Sequence, residues 1–482
     1  MAMVEKRANS PHDDSTNPDW AELLLIPEAE APGLAAHRRV YLSLRALILD
    51  GTVPAGARLP PTRALARTLG VSRSAVIVAY EQLLADGHAV ARVGAGTFVA
   101  ALEFSPRAAP APARAEAAAD PAPPFTIGRA AADTLTLRQF RGLLARRLRD
   151  FDPLHLTYGD PRGTPALRGA IARMLRTARG VRADPERIVI VSGTQHAFGL
   201  VLRALLRPGD AVWVEDPCYP AFLTALGGAG GQAVPVPVDA QGLDVAAGRA
   251  AAPNAVAAYV TPSHQYPLGV AMGMERRLAL LDWARGAGAY VIEDDYDSEV
   301  RFAGRSLAAL QGLDGGDRVL HIGTFSKVLF PGLRCGWLVV PDALMEAVLA
   351  VRAATDRQPP TLLEGALADL LDGGAFAAHL RRLRARHRAS RDVLVAALSD
   401  LPGLEVDVPD QGLHLVARLR DGGDDVAVAR ACAKAGIAAR PLSRMYLARP
   451  PVAGLVLGFT GFSEAALRAG AAGLGRVLAA MR

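Results

Sequence analysis

Between residues 40 and 84 the apolar positions recur at helical spacing. Val40 to Leu49 predicts a helix that stops at Asp50-Gly51. Thr62 is a good cap for a second helix running to Leu69, with Gly70 as its stop. Ser72 caps a third, in which Val76, Ala79, Tyr80, Leu83 and Leu84 follow the i, i+3, i+4, i+7, i+8 stripe of a one-sided helix. Asp86-Gly87 ends it, and HAVARVGAGTFVA then predicts two short strands about a glycine turn. From Phe125 onward the pattern changes. Short β-branched runs at 187–191 (RIVIV), 211–214 and 289–292 alternate with helical stretches such as Ala166–Arg179 and Glu275–Ala287. Such alternation predicts an α/β domain with a mostly parallel sheet, whose ligands sit at the carboxyl ends of the strands.

The 482 residues are too many for one ordinary core. The boundaries expected are a leader of low order at 1–30, a first domain at 31–101, an Ala/Pro linker at 102–124 and a second domain at 125–482. No apolar run is long enough for a bilayer, the first residues lack a secretory apolar segment, and Cys218, Cys335 and Cys432 lie far apart. A cytoplasmic protein without a membrane partner is expected.

Charge sharpens the first domain. Residues 31–101 carry eight arginines against Asp50, Glu81 and Asp86, so either an anionic partner, nucleic acid first, or a solvated basic face is implied. Helix, short turn, helix and β-wing is the winged helix-turn-helix plan, which decides in favour of double-stranded DNA. Ser72, Arg73 and Ser74 fall at the start of the second helix of the pair, the end that enters the major groove. Arg63, with the wing amides around Gly94 and Gly96, is placed to meet phosphate.

Lysine usage sharpens the second. Of 54 basic residues only Lys6, Lys327 and Lys434 are lysines, and a lysine kept where arginine otherwise supplies charge hints at amine chemistry. Lys327 sits in GTFSKVLFPGLRCGW, residues 323–337, between the hydroxyls of Thr324 and Ser326 and an apolar run, with Arg334 seven residues on. Such a set suits a Schiff-base lysine beside a phosphate ester. VIEDDYDSE, residues 291–299, follows a buried strand and offers a carboxylate for a pyridinium nitrogen, Asp294 first and Asp295 its rival. Tyr296 is placed for the phenolic oxygen. In SGTQHAF, residues 192–198, the amides of Gly193 to Gln195 and the Thr194 hydroxyl open a helix and suit phosphate. Tyr219, in EDPCYP, is placed to stack on the ring, and TPSHQYPLG brings His264 and Gln265 near its edge. No metal is expected, since the acidic cluster has no nearby histidine.

The first segment, LPPTRALARTLGVSRSAVIVAYEQLLADGHAVARVGAGTFV, resembles the GntR-type winged-helix family, with Pro61 and Ala75 where serine and threonine are common. EDPxYP, VTPSHQYP, IEDDYDSE and GTFSKVLFP resemble the MocR subfamily of GntR regulators, across roughly residues 31–101 and 125–482. That resemblance implies an N-terminal winged helix-turn-helix plus a fold-type I PLP-dependent aminotransferase-like domain, with a smaller C-terminal α/β subdomain. It implies pyridoxal 5′-phosphate (PLP) held as an aldimine on Lys327, Asp294 on the ring nitrogen, Tyr296 on the ring oxygen and Tyr219 in stacking. Thr194, Gln195, Thr324, Ser326 and Arg334 would surround the phosphate. It further implies a homodimeric transcriptional regulator that responds to PLP or to an amine effector. An aminotransferase with a fused DNA reader is the alternative. In aminotransferases an arginine of an RLxF-like strand holds the substrate carboxylate, and here Val456 stands at that position; Arg440 or Arg444 would have to supply the clamp.

Overall fold

Val40, Tyr41, Leu44 and Ile48 turn one face of α1 (Ala36–Leu49) into a small core. The computed structural model describes residues 34–101 and 122–481, apart from 130, 131, 151, 304–306 and 449. The expected leader and residues 102–121 of the expected linker lie outside the described residues. Two compact units divide between residues 120 and 121.

In the first unit α2 (Thr62–Thr68) and α3 (Arg73–Ala85) are followed by an antiparallel hairpin of β1 (Ala89–Arg92) and β2 (Gly96–Val99). The stripe read from the sequence is the buried face of α3: Val76, Ala79, Tyr80 and Leu83 all lie inside, against Leu59, Leu65 and α1. The Tyr80 hydroxyl donates to the Pro60 carbonyl at 2.8 Å, fixing the α1–α2 connection on α3. Ser72 caps α3 as expected, its Oγ accepting from the Ala75 amide at 3.2 Å. Thr62 does not cap α2. Pro61, with φ −56° and ψ 136°, sets the extended entry, and Thr62 is already the first helical residue.

The second unit is built on an eight-stranded sheet. Its strands are β3 (Ile188–Val191), β4 (Ala211–Asp216), β5 (Gln232–Asp239), β6 (Gly242–Leu243), β7 (Ala257–Val260), β8 (Tyr290–Asp295), β9 (Val319–Thr324) and β10 (Gly336–Val339). They lie in the order β3-β10-β9-β8-β7-β4-β5-β6. The β5–β4–β7–β8–β9 stretch is parallel, whereas β10 and β6 are antiparallel to their neighbours. Helices cover both faces, so β3, β7 and β10 are buried at every position and read as continuous apolar runs. β8 runs longer than the apolar pattern indicated: Glu293, Asp294 and Asp295 belong to the strand itself and are buried.

Before the sheet come α4 (Thr134–Arg149) and α5 (Pro165–Arg179); α6 (Thr194–Leu205) leaves the end of β3. After it, the long helix Ala375–Ser399 leads into a smaller antiparallel sheet of β11 (Leu404–Asp407), β12 (His414–Leu419), β13 (Arg440–Pro441) and β14 (Gly454–Gly458). Its order is β11-β12-β14-β13, and Ala375–Ser399 and Glu464–Ala480 pack against it. Phe125, at the start of this unit, is buried in the same core. The carboxyl ends of β4, β7, β8 and β9 thus deliver four consecutive segments to one edge of the large sheet, the place a parallel sheet reserves for ligands.

Candidate functional site

A cavity of about 110 Å³ opens at that edge. Lys327 lies just beyond β9, in its wall, with Val328 and Leu329 buried behind it. Burial lowers the pKa of its amine, which favours the neutral nucleophilic form. Gly128, with φ +82°, comes so close that a Cβ there would stand 2.9 Å from Nζ. A side chain at this positive φ would be strained and would displace the amine.

Across the cavity, Asp294 is 4% exposed. Its Oδ2 accepts from the Tyr259 hydroxyl at 2.9 Å, while Oδ1 has no hydrogen-bond partner among the described residues. Burial pushes this carboxyl up to about 7. Asp295, one residue on, faces the other way. Arg179 Nε donates to it at 2.9 Å, and His321 Nε2 stands at 3.2 Å. Burial opposes its ionisation, but the Arg179 guanidinium and the His321 ring hold its pKa below the usual carboxylate range. Of the two rivals, Asp294 is the one that meets the cavity.

Thr194, Tyr219, Tyr296, Thr324 and Arg440 line the same space. Tyr219 stands edge-on to Tyr266, ring centroids 5.3 Å apart. The Tyr296 hydroxyl lies 3.0 Å from His264 Nδ1. At the start of α6, Gly193 has φ +94°, and a Cβ on it would come within 3.4 Å of the Arg334 guanidinium. No carbonyl among the described residues takes the amides of Thr194 and Gln195. Ser326 Oγ is buried without a partner, and the Ser326 amide donates to Thr324 Oγ1 at 3.1 Å. A ring nitrogen, a phosphate and an aldehyde would answer, in turn, the open oxygen of Asp294, the open donors around Arg334 and the amine of Lys327. The residues fit PLP.

Three expected residues lie elsewhere. His264 is behind Tyr296 rather than on the cavity wall, because Asp297 Oδ2 holds its Nδ1 at 2.8 Å. Gln265 is used up structurally, donating to the carbonyls of Pro217 and Tyr266 at 2.9 and 2.8 Å. Arg444 is exposed and lines no part of the cavity. Arg440 does line it, donating to Tyr266 at 3.4 Å, and its cross-strand partner in β14 is Val456. Tyr259, Tyr266, Gly128, Leu413 and His414 were not foreseen. Each comes from a segment whose only local signal is a buried aromatic, a glycine or a strand residue.

In the first unit Arg63, Ser72, Arg73 and Ser74 are all exposed, and Arg63 and Arg73 line one open groove with Arg67, an arginine the sequence reading passed over. Arg73 Nε reaches Thr62 Oγ1 at 3.5 Å, and Ser72 Oγ and Ser74 Oγ are 3.0 Å apart. Gly96 has φ +111°, with the Arg58 guanidinium close enough to meet an added Cβ at 3.2 Å. The wing therefore presents backbone and arginine together.

The raised Asp294 pKa makes a stability prediction for the protein without cofactor. Its folded value of about 7 lies above the ordinary 3.8, so the folded chain keeps a proton that the unfolded chain has released. Stability is full below about pH 4 and is lost as pH rises through about 7. Glu215 and Glu299, raised to about 7 by burial, act in the same sense, so the variant is compared with wild type at each pH. Asp294→Asn is expected to match wild type near pH 4 and to exceed it by about 1–4 kcal/mol at pH 8. Thermal denaturation across that range checks it; an unchanged pH slope would refute the assignment.

Two family models match the chain: bacterial regulatory proteins of the gntR family over residues 36–99, and aminotransferase class I and II over 140–455. The probable rhizopine catabolism regulatory protein MocR of Rhizobium meliloti is 39% identical, over 93% of this chain and 94% of its own. The HTH-type pyridoxine biosynthesis transcriptional regulator PdxR of Corynebacterium glutamicum is 32% identical over 88% and 92%. Among solved structures, the kynurenine aminotransferase of Pyrococcus horikoshii, in complex with PMP, superposes with a TM-score of 0.67 at 28% identity. It covers 72% of this chain and 87% of its own. With a DNA-reading module and an aminotransferase-type module both matched in one chain, and whole-length likeness to regulators that share this plan, the chain belongs to the MocR subfamily of GntR-type transcriptional regulators.

Proposed function

We propose that this regulator reads a double-stranded operator with its winged helix, and that an amine meeting PLP at Lys327 changes that reading. PLP is the cofactor of the second domain; when bound it supplies an electrophilic carbonyl and an electron-accepting ring. The observation that carries the reading is the pairing of Lys327, its pKa lowered by burial, with the open Oδ1 of Asp294 across one cavity. Asp294 would hold the ring nitrogen, and Tyr296 the ring oxygen. Gly193, Thr194, Gln195, Thr324, Ser326 and Arg334 would hold the phosphate, and Tyr219 the ring face. Arg440 is placed to take an effector carboxylate in the stead of the missing arginine at Val456. Residues 31–101 serve as reader, 125–482 as effector domain and the Ala/Pro segment as tether, in the cytoplasm. Two copies would pair to engage two half-sites, covering exposed side chains such as Leu135, Leu137 and Tyr158.

The complete cofactor machinery also favours a second reading, amine transfer as an enzyme. Sustained keto-acid production from common amino acids at an enzyme-like rate would support it. The regulator reading is tested by gel shift on the DNA upstream of the chain's own gene, with and without PLP and amine. DNA affinity is expected to change with ligand state, and one affinity under all states would defeat the reading.

Three substitutions sharpen it. Lys327→Ala is expected to abolish the visible absorption of the loaded protein and the covalent, borohydride-fixed cofactor detected by mass spectrometry. Arg73→Ala is expected to cost about 1–3 kcal/mol on the operator and relax its sequence preference, whereas Arg63→Ala weakens all DNA alike and lowers the salt slope by about 1. Arg440→Ala is expected to raise the concentration of a carboxylate-bearing amine needed for the DNA response about tenfold or more, and to leave a simple alkylamine unaffected.

A further inference from the structure

Behind the cofactor cavity lies a second one of about 220 Å³, between the segment after β7 and strands β11 and β12 of the small subdomain. His414 lines both cavities. His264 lines the second, and its Nδ1 stands 3.0 Å from the hydroxyl of Tyr296, which lines the first. Histidine side chains thus form part of the wall between the two spaces.

Two nitrogen atoms in this wall are buried and have no hydrogen-bond partner among the described residues: His264 Nε2 and Arg301 Nε. His264 is 2% exposed. Its Nδ1 is fixed by Asp297 Oδ2 at 2.8 Å, which leaves Nε2 beside Gly269, another wall residue, where an added Cβ would come within 3.2 Å. Arg301 is held by Nη1, which donates to Gln411 Oε1 at 3.0 Å, so its Nε is fixed in place and open. Buried polar atoms are ordinarily satisfied; these two nitrogens, together with Asp407 Oδ2, which has an ion-pair partner in Arg418 but no hydrogen bond among the described residues, call for a partner inside the cavity.

The charges say what kind. Arg301, Asp407 and Asp410 line the space. Asp407 is matched by Arg418 at 2.8 Å, which leaves Arg301 and Asp410, one charge of each sign. His414 adds no cation, since burial pushes its pKa down to about 3.

We propose that this cavity is a second small-molecule site for a zwitterionic amino acid, its carboxylate accepting from Arg301 Nε and its ammonium donating to His264 Nε2 and lying toward Asp410. Occupancy is passed to the cofactor cavity through the hydrogen bond between His264 and Tyr296. The passing on rests on the cofactor reading above; the binding itself does not.

The test uses the full chain loaded with PLP and reduced with borohydride, so that Lys327 no longer reacts with added amines. Glycine and L-alanine are titrated by calorimetry and by fluorescence of the reduced cofactor. Saturable binding at millimolar concentration or tighter is expected, weakened about tenfold or more by Arg301→Gln and by the exposed-site variant Asp410→Asn. A fluorescence change is also expected, and Tyr296→Phe should remove it while the heat of binding persists. No heat in the wild type, meaning that water alone fills the cavity, overturns the site, as does binding indifferent to both substitutions. Binding with silent fluorescence overturns the coupling. If borohydride fixes no cofactor, the cofactor reading fails, and calorimetry on the unloaded chain with the same two variants still decides the site.

Discussion

A carboxylate kept from water, with one oxygen left open, is the constraint on which the effector domain depends. Asp294 lies next to the end of β8 in the middle of a sheet covered on both faces, where ionisation is costly unless a positive partner arrives. Tyr259 satisfies one oxygen and nothing among the described residues satisfies the other. Its neighbour Asp295 has the opposite fate, since Arg179 and His321 neutralise it on the far face of the strand. Successive strand residues point to opposite faces. One acidic pair thus provides both an anchor for the strand end and an acceptor for a ligand.

The small subdomain supplies the other half of the pocket. β13 and β14 are paired so that Arg440 stands opposite Val456. A cation is present beside the cavity, but it arrives on the neighbouring strand, from the direction of Tyr266. A pocket arranged in this way can hold a carboxylate without presenting it from the strand that an aminotransferase uses.

The helices of the DNA reader and most strands of the large sheet were legible, because each is long enough for its periodicity to show in the residues themselves. So were Lys327, Asp294, Tyr296, Thr194, Thr324 and Arg440, which meet at one cavity. Proximity along the chain misled at His264 and Gln265. Both follow β7 and approach the ring edge in sequence, yet Asp297 and the carbonyls of Pro217 and Tyr266 hold their side chains away. Arg67 went unnoticed because a surface arginine carries no local mark; only the packing of α2 on α3 sets it beside Arg63 and Arg73.

The chain's residue pattern alone determined the two-module plan, the parallel α/β character of the second module and the lysine that lines its cavity. These are properties of neighbouring residues: spacing of apolar side chains, caps, glycine turns and a rare amine in an apolar run. Tertiary structure alone decided which aspartate meets the cavity, that Tyr259 completes it, that Arg440 rather than Arg444 reaches it, and that His414 lines two cavities. Each of those depends on the direction of a side chain among partners from distant strands, and direction is set by packing and register, which no local pattern encodes.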